Sequence, residues 1–483
     1  MSKIIEGLEP KSVLEYFEKI NNIPRGSGNE KEISDYLLSF AKERNLEVIQ
    51  DEELNVIIKK PGTKGYESSP TVILQGHMDM VCEKNFDVEH DFLKDPIELV
   101  VDGDYISANG TTLGADNGIA VAYCLAILDS SEIEHPPIEV FITSNEEAGM
   151  NGAIGVDPSN FSGRILVNLD SEEEGEFLVS CAGGLKACIN VPIKWEQAEG
   201  TACKIMVKGL KGGHSGSDID KNRANSNRIL GRILYDLNDA MDIHVVDIFG
   251  GSKDNAIPRE AYANVIIPDG EFDKFNDIVD KISSDIKNEF KTSDSGLTVV
   301  ITKENMDETK VMAKDTLNNL IFLLTCLPNG IQTMSADIEG LVESSLNLGV
   351  VVTNDDSVKL TIAVRSSVGS LKKVMAYQLG LFAEYGHSEF KVTGEYPEWE
   401  YRKESKIRDI FAKTYEDMYE KKPLIKAIHA GLECGVFDEK IEGLDMISLG
   451  PNMYDVHTPD ERLSISSTKR TWEFLLNALK NIK

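Results

Sequence analysis

An α/β fold carrying a large α+β insertion is predicted for this 483-residue chain by three observations. Continuous apolar runs alternate with helical patterns over the first third, the pattern changes near Leu185, and the first pattern returns near Glu395. The length exceeds what one hydrophobic core organises, so two or more domains are expected. The expected catalytic domain is a mostly parallel sheet sandwiched by helices, built from residues 1–185 and 395–483. An inserted α+β domain, residues 186–394, lies between them in sequence.

Residues 10–17 open an amphipathic helix, and residues 30–44 space their apolar side chains as a second one. NVIIKK, TVILQGHMD, IEVFITSN and RILVNLD then read as strands, with a helix over 117–128 among them. Residues 72–74, 140–142 and 165–167 are unbroken apolar runs, as expected of parallel strands covered on both faces. Ligands of open sheets gather beyond the carboxyl ends of the strands. His77, Glu147 and Asp170 each fall just after such a run.

Beyond Leu185 come KIMVKGLKGG, a helix near 222–237, HVVDIFGG, AYANVIIP, a helix near 272–290 and LTVVITK. A second series follows: a helix at 316–327, SLNLGVVVT, VKLTIAVRS, a helix at 371–385 and EFKVTGEY. The shared order predicts two related α+β halves in tandem, about 186–303 and 304–394. The returning segment contains a helix at 405–419, a strand near 446–449 and a closing helix at 467–481, and it carries His457.

The formal charge of −31 argues against nucleic acid or an anionic membrane surface as partner. Seven cysteines with no C-x-x-C pair fit a reducing compartment. Cys124, Cys326 and Cys434 read as inert buried thiols. The N-terminus lacks an apolar run of signal-peptide length, and no stretch approaches the roughly 20 apolar residues of a membrane span. A cytoplasmic protein is expected.

Five metal-ligating side chains stand out: His77 in LQGHMDMV, Asp116 in TLGADNG, Glu147 in TSNEEAG, Asp170 in LVNLDSEE and His457 in MYDVHTPDE. Two imidazoles and three carboxylates are too few for two closed zinc sites, but they suffice for two open ones if one carboxylate bridges. An open paired-metal site is hydrolytic. His77 and Asp79, two apart on an extended segment, point the same way, so one can bind metal while the other orients it. Asp116 sits in a glycine-flanked turn at a helix start, where an ordinary cap is the competing reading. Adjacent Glu146 and Glu147 repel near a low-dielectric sheet end unless a cation compensates, and either could bind metal while the other moves a proton. Glu172, Glu173 and Glu174 read as a solvated acidic face. A guanidinium in the apolar strand TIAVRS, Arg365, is unusual, because it needs a partner if buried.

These motifs resemble the di-zinc peptidase superfamily that contains glutamate carboxypeptidase, carnosinase and succinyl-diaminopimelate desuccinylase. The longer stretches GHMDMVCEKN, NGTTLGADNGI, TSNEEAGMNGA, KGLKGGHSG and HAGLECG are similar to those of the aminoacyl-histidine dipeptidases, a group also called Xaa-His or cytosolic non-specific dipeptidases. The resemblance implies two divalent metal ions per chain, zinc expected, with cobalt or manganese as alternatives. One would be held by His77, Asp116 and Asp170, the other by Asp116, Glu147 and His457. It implies that Asp79 supports His77 and that the Asp116–Asn117 peptide bond is cis. It further implies that a hydroxide, from a water shared by the metals, attacks the scissile carbonyl. By the same resemblance Glu146 would take that water's proton as general base and pass it to the leaving amine. His214, in KGGHSG, matches a lid histidine that donates to the oxyanion. Asn255, in KDNAIPRE, and Arg365 match positions that hold the substrate's terminal carboxylate, and Gly431 shapes the pocket through its backbone. His429 and Glu433 receive no role.

The implied activity is hydrolysis of dipeptides, including Xaa-His dipeptides such as carnosine. An N-acyl-amino-acid deacylase or a carboxypeptidase is the alternative, against which a doubled lid should exclude long peptides. The oligomeric state stays open, a homodimer among the choices, as does whether His214 serves its own chain.

Overall fold

The computed structural model describes residues 5–304 and 309–483. It divides into two compact units: Met1–Ser180 with Tyr401–Ala427 and Leu432–Lys483, and Cys181–Glu400 with Ile428–Gly431. Among the described residues no helix is long and apolar enough to cross a membrane.

The first unit is built on an eight-stranded sheet. Its order is Glu47–Gln50, Val56–Lys60, Ile138–Thr143, Val72–His77, Ile165–Asn168, Asp445–Ser448, Glu176–Cys181 and Leu424–Ile428. The four central strands are mutually parallel, and Val56–Lys60 and Glu176–Cys181 flank them antiparallel. The central strands are the unbroken apolar runs; Val72–His77 and Ile138–Thr143 are buried at every residue. Three neighbours therefore end side by side at their carboxyl ends and deliver His77, the Glu146–Glu147 turn and Asp170.

The helix Ala115–Asp129 is apolar all round and almost wholly buried, so it is a core element rather than an amphipathic cover. It packs on the strand Val72–His77 and on the helix Lys11–Asn21. Lys60 closes its far end, donating to the carbonyls of Ile127 at 2.9 Å and Ser130 at 2.6 Å. Phe177 joins the early strands to the returning segment, its ring 5.5 Å from that of Phe474 and 5.7 Å from that of Tyr415. A second, four-stranded sheet orders Met453–Tyr454, Arg462–Ser464, Tyr105–Ala108 and Leu99–Asp102. The loop between its first two strands carries His457.

The second unit contains one nine-stranded sheet. Thr298–Lys303, Thr201–Lys208, Ala261–Ile267 and His244–Gly250 run in that order, followed by Val342–Thr353, Ser357–Ser366, Gly183–Pro192 and Glu389–Tyr396, with Gly330–Met334 paired to Val342–Thr353. The two sets of four mirror one another and meet where Phe249 and Gly250 pair with Val352 and Val351. The expected tandem arrangement is thereby corrected. The strand Gly183–Pro192 belongs with the later set, so the first half is inserted into the second rather than preceding it. A glycine pair and an exposed lysine begin this strand and break its apolar pattern.

Two smaller expectations also change. Cys326 is exposed at the end of the helix Lys314–Cys326, whereas Cys124 and Cys434 are buried. Glu174 is not solvated with its neighbours but accepts from Arg470 Nε at 2.7 Å and Nη2 at 2.6 Å.

Truncating Phe177 to alanine should cost about 3–5 kcal/mol in the first unit. Urea unfolding followed by aromatic fluorescence checks this, and an unchanged midpoint would contradict the packing described.

Candidate metal centre

His77 ends its strand with the ring buried, Nδ1 3.3 Å from Asp79 Oδ1 and Nε2 3.2 Å from Asp116 Oδ1. Asp170 Oδ1 lies 3.4 Å from the same Nε2. On the other side, His457 Nε2 stands 3.2 Å from Asp116 Oδ2 and 2.9 Å from Glu147 Oε1. Asp116 thus turns one oxygen to each imidazole. Donor atoms of His77, Asp116 and Asp170 lie within 4.8 Å of one another, as do those of Asp116, Glu147 and His457, and those of His77, Glu146 and Glu147.

Local structure explains each placement. The chain departs from helical geometry at Asp116 and Asn117, whose connecting peptide is cis, and Asp116 is turned out of the helix. The Asn117 amide accepts from the His77 N–H at 3.2 Å and donates to the Leu169 carbonyl at 2.9 Å, pinning two strand ends together. Gly76 allows this approach: a Cβ there would lie 2.4 Å from Asn117 Oδ1 and 2.6 Å from Ala120 Cβ. Asp79 serves two elements. Its carboxylate meets His77 and also accepts the N–H groups of Glu146 at 3.0 Å and Glu147 at 3.2 Å. Burial opposes ionisation of Asp79, but the bonds from His77, Ser27 and the Glu146 N–H hold its pKa below the ordinary value.

The charges are unusual. Burial, reinforced by Asp170, Glu433 and Glu147, pushes Glu146 well above the usual carboxylate range. Burial likewise lifts Asp170 to about 7. Bonds to Asp116 and Glu147 raise His457 to about 11. Among the described residues no lysine or arginine forms an ion pair with Asp116, Glu147 or Asp170, and Asp170 Oδ1 has no hydrogen-bond donor. A compact set of oxygen and imidazole donors whose carboxylates are paired with no lysine or arginine among the described residues fits divalent cations.

Several contributors escaped the sequence reading. Glu461 is 2% exposed, and its carboxylate accepts the N–H groups of Leu113, Gly114, Ala115 and Asp116 at 2.7, 3.0, 2.8 and 3.3 Å. It lies inside the MYDVHTPDE stretch, overshadowed there by His457. Arg25 is buried and donates to the carbonyls of Gly114 at 2.6 Å and Met78 at 3.1 Å. Nothing periodic in its surroundings marked it. Glu433 is fully buried, accepting from Gln75 at 2.6 Å and Thr143 at 2.8 Å, and burial pushes it up to about 8.

In the second unit, Arg365 donates to the Tyr396 hydroxyl at 2.8 Å, and its Nη2 lies 3.5 Å from His214 Nε2. His214 Nδ1 accepts the N–H groups of Gly216 at 3.3 Å and Ser217 at 3.2 Å. Its proton is therefore on Nε2 in the neutral ring. Burial, with Arg365, depresses its pKa and favours that neutral form. In that tautomer Arg365 Nη2–H and His214 Nε2–H face each other as donors. Asn255, Arg365 and Tyr396 line a depression of about 200 Å³. Gly431, expected in the returning catalytic segment, belongs to this unit, and a Cβ there would meet the Tyr396 ring at 2.8 Å. His429 sits with it, 2.7 Å from the Ser345 hydroxyl.

Replacing Gly76 by alanine should overpack this junction and cost about 1–3 kcal/mol. Thermal unfolding checks it, and an unchanged melting temperature would contradict the pin described.

Comparison with known proteins places this site in context. The model of Peptidase family M20/M25/M40 matches residues 73–481. Cytosol non-specific dipeptidase of Escherichia coli (strain K12) is 38% identical over 477 residues, 98% of each chain. The crystal structure of aminoacylhistidine dipeptidase from Vibrio alginolyticus matches with a TM-score of 0.92 at 40% identity, over 99% of this chain and 98% of that one. Aminopeptidase PepT from Bacillus cereus, at 15% identity and a TM-score of 0.58 over 98% and 99%, shares the fold. With that much of its length matched, this chain belongs to peptidase family M20/M25/M40, enzymes that hydrolyse peptide bonds.

Proposed function

We propose that this chain is a metal-dependent dipeptidase, with Xaa-His dipeptides such as carnosine among its substrates. The observation that carries the reading is Asp116, one carboxylate oxygen 3.2 Å from each of two imidazoles that carry further acids at their sides. His77, Asp116 and Asp170 would hold one divalent ion, and Asp116, Glu147 and His457 a second, zinc being the expected metal. The relatives named as dipeptidases support the substrate class.

When bound, such ions make a water acidic and polarise a carbonyl oxygen. The remaining work falls to the chain. Glu146 stands beside the ligands, its N–H fixed by Asp79, and its carboxyl is disposed by burial to hold a proton. It takes the proton from the attacking water and returns it to the leaving amine. His214, with its proton on Nε2, donates to the oxygen of the substrate carbonyl as charge develops there. Arg365, oriented by Tyr396, binds the substrate's terminal carboxylate with Asn255 beside it, and Gly431 makes room for the Tyr396 ring. The mutual arrangement of Arg365 and His214 suits an anionic group between them.

Glu146→Gln should lower kcat/KM at least about 100-fold while leaving metal content unchanged. Full turnover in that variant would rule out the proposed base. A chelator should abolish hydrolysis, and zinc, cobalt or manganese should restore it. Across di-, tri- and tetrapeptides the dipeptide should be cleaved fastest, whereas equal rates on longer chains would favour a carboxypeptidase and preference for N-acyl amino acids a deacylase. Arg365→Lys should raise KM for a dipeptide with a free carboxylate, with a smaller change for its C-terminal amide. An equal effect on both would argue against carboxylate recognition.

A further inference from the structure

Asp116 must keep a fixed distance from two histidines that lie far from it in sequence, and the surrounding backbone shows what holds it there. The turn Leu113–Asp116 points four successive N–H groups toward one spot, and Glu461 fills that spot with both carboxylate oxygens. Oε2 accepts from Leu113 at 2.7 Å and Gly114 at 3.0 Å; Oε1 accepts from Ala115 at 2.8 Å and Asp116 at 3.3 Å. Converging backbone N–H groups form an anion-binding concavity, here occupied by a side chain of the protein itself. Glu461 lies four residues after His457, in the same loop between the paired strands Met453–Tyr454 and Arg462–Ser464. His457 and Asp455 in that loop adopt positive φ, 62° and 54°, so its course is tightly defined.

The opposite side of the same turn is held by Arg25, which donates to the Gly114 carbonyl at 2.6 Å and to the Met78 carbonyl at 3.1 Å. Met78 follows His77 directly. The Asp116 turn is therefore clamped between two buried charges. Arg25 ties it to the segment bearing one histidine, and Glu461 ties it to the loop bearing the other.

We infer that Glu461 is a positioning residue of this site, coupling the His457 loop to the Asp116 turn so that both oxygens of Asp116 are presented at once. It touches no reacting atom and acts through backbone N–H groups. A glutamine cannot replace it. Its amide nitrogen would face two of the four N–H donors, leaving buried groups of the same polarity opposed. An aspartate keeps two accepting oxygens on a shorter stem and spans only part of the turn.

This inference rests on the two-metal reading of the site, and its test separates the two. Hydrogen–deuterium exchange on the metal-free protein reads the peptide containing residues 113–116, while metal competition and steady-state kinetics read the site. In Glu461→Gln the peptide should exchange faster than in the parent protein. Metal affinity should fall about 10- to 100-fold, the usual effect of removing a group that orients ligands. Saturating metal should restore much of kcat with KM little changed, a recovery that mere loss of folded protein would not show. Glu461→Asp should fall between the two in exchange and in affinity. If the glutamine variant does not fold, the aspartate variant carries the test alone. Parental exchange and parental metal affinity in a folded variant would overturn the inference. If the parent protein binds no metal, the functional reading fails, and the exchange comparison still decides whether Glu461 holds the turn.

Discussion

Asp116 has two carboxylate oxygens, and each is aimed at a different imidazole. This is the constraint on which the rest of the first unit depends. A carboxylate so placed cannot rest on an ordinary helix, because the helical path would turn its side chain aside. The chain therefore leaves helical geometry at Asp116 and Asn117 and resumes it afterwards. Asn117 then uses its own side chain to fasten the ends of two strands, and Gly76 leaves room for it.

The surrounding polar groups follow from the same constraint. Buried acids are tolerated only when their oxygens are hydrogen-bonded or face a cation. Asp79 and Glu461 are fully engaged by donors from the protein. Beneath the strand ends runs a chain of polar side chains: Asn168 donates to Gln75 at 2.6 Å, Gln75 to Glu433 at 2.6 Å, and Ser448 to Asn168 at 2.5 Å. Gln75, Asn168 and Ser448 stand where apolar side chains would otherwise continue the hydrophobic core of their strands. Such departures from the local rule concentrate where function is expected to override stability.

Much of this was legible in the residues alone, for identifiable reasons. Unbroken runs such as VIL at 72–74 announce a strand buried on both faces, and strand ends announce where polar residues will gather. His77, Asp116, Glu147, Asp170 and His457 each have an ordinary reading alone, and they could be singled out only together, by their order and their places at strand ends. The insertion of one sheet half into the other was not legible, since it depends on which strands pair, and Gly183–Pro192 carries a weak pattern. Arg25 was hidden because its partners are carbonyl oxygens, which every residue has. Glu461 was hidden for the matching reason: it binds N–H groups, and no sequence pattern records that four of them converge. Glu433 received no role from the sequence, because only the packing of the helix Glu433–Lys440 buries it.

The shared use of Asp116 can be tested without reference to substrate. Native mass spectrometry of the zinc-loaded protein should show two ions per chain, and Asp116→Ala should lose both together, because the two proposed donor sets, His77 with Asp116 and Asp170 and Asp116 with Glu147 and His457, share that residue. A variant that retains either ion at the parental affinity would contradict the arrangement.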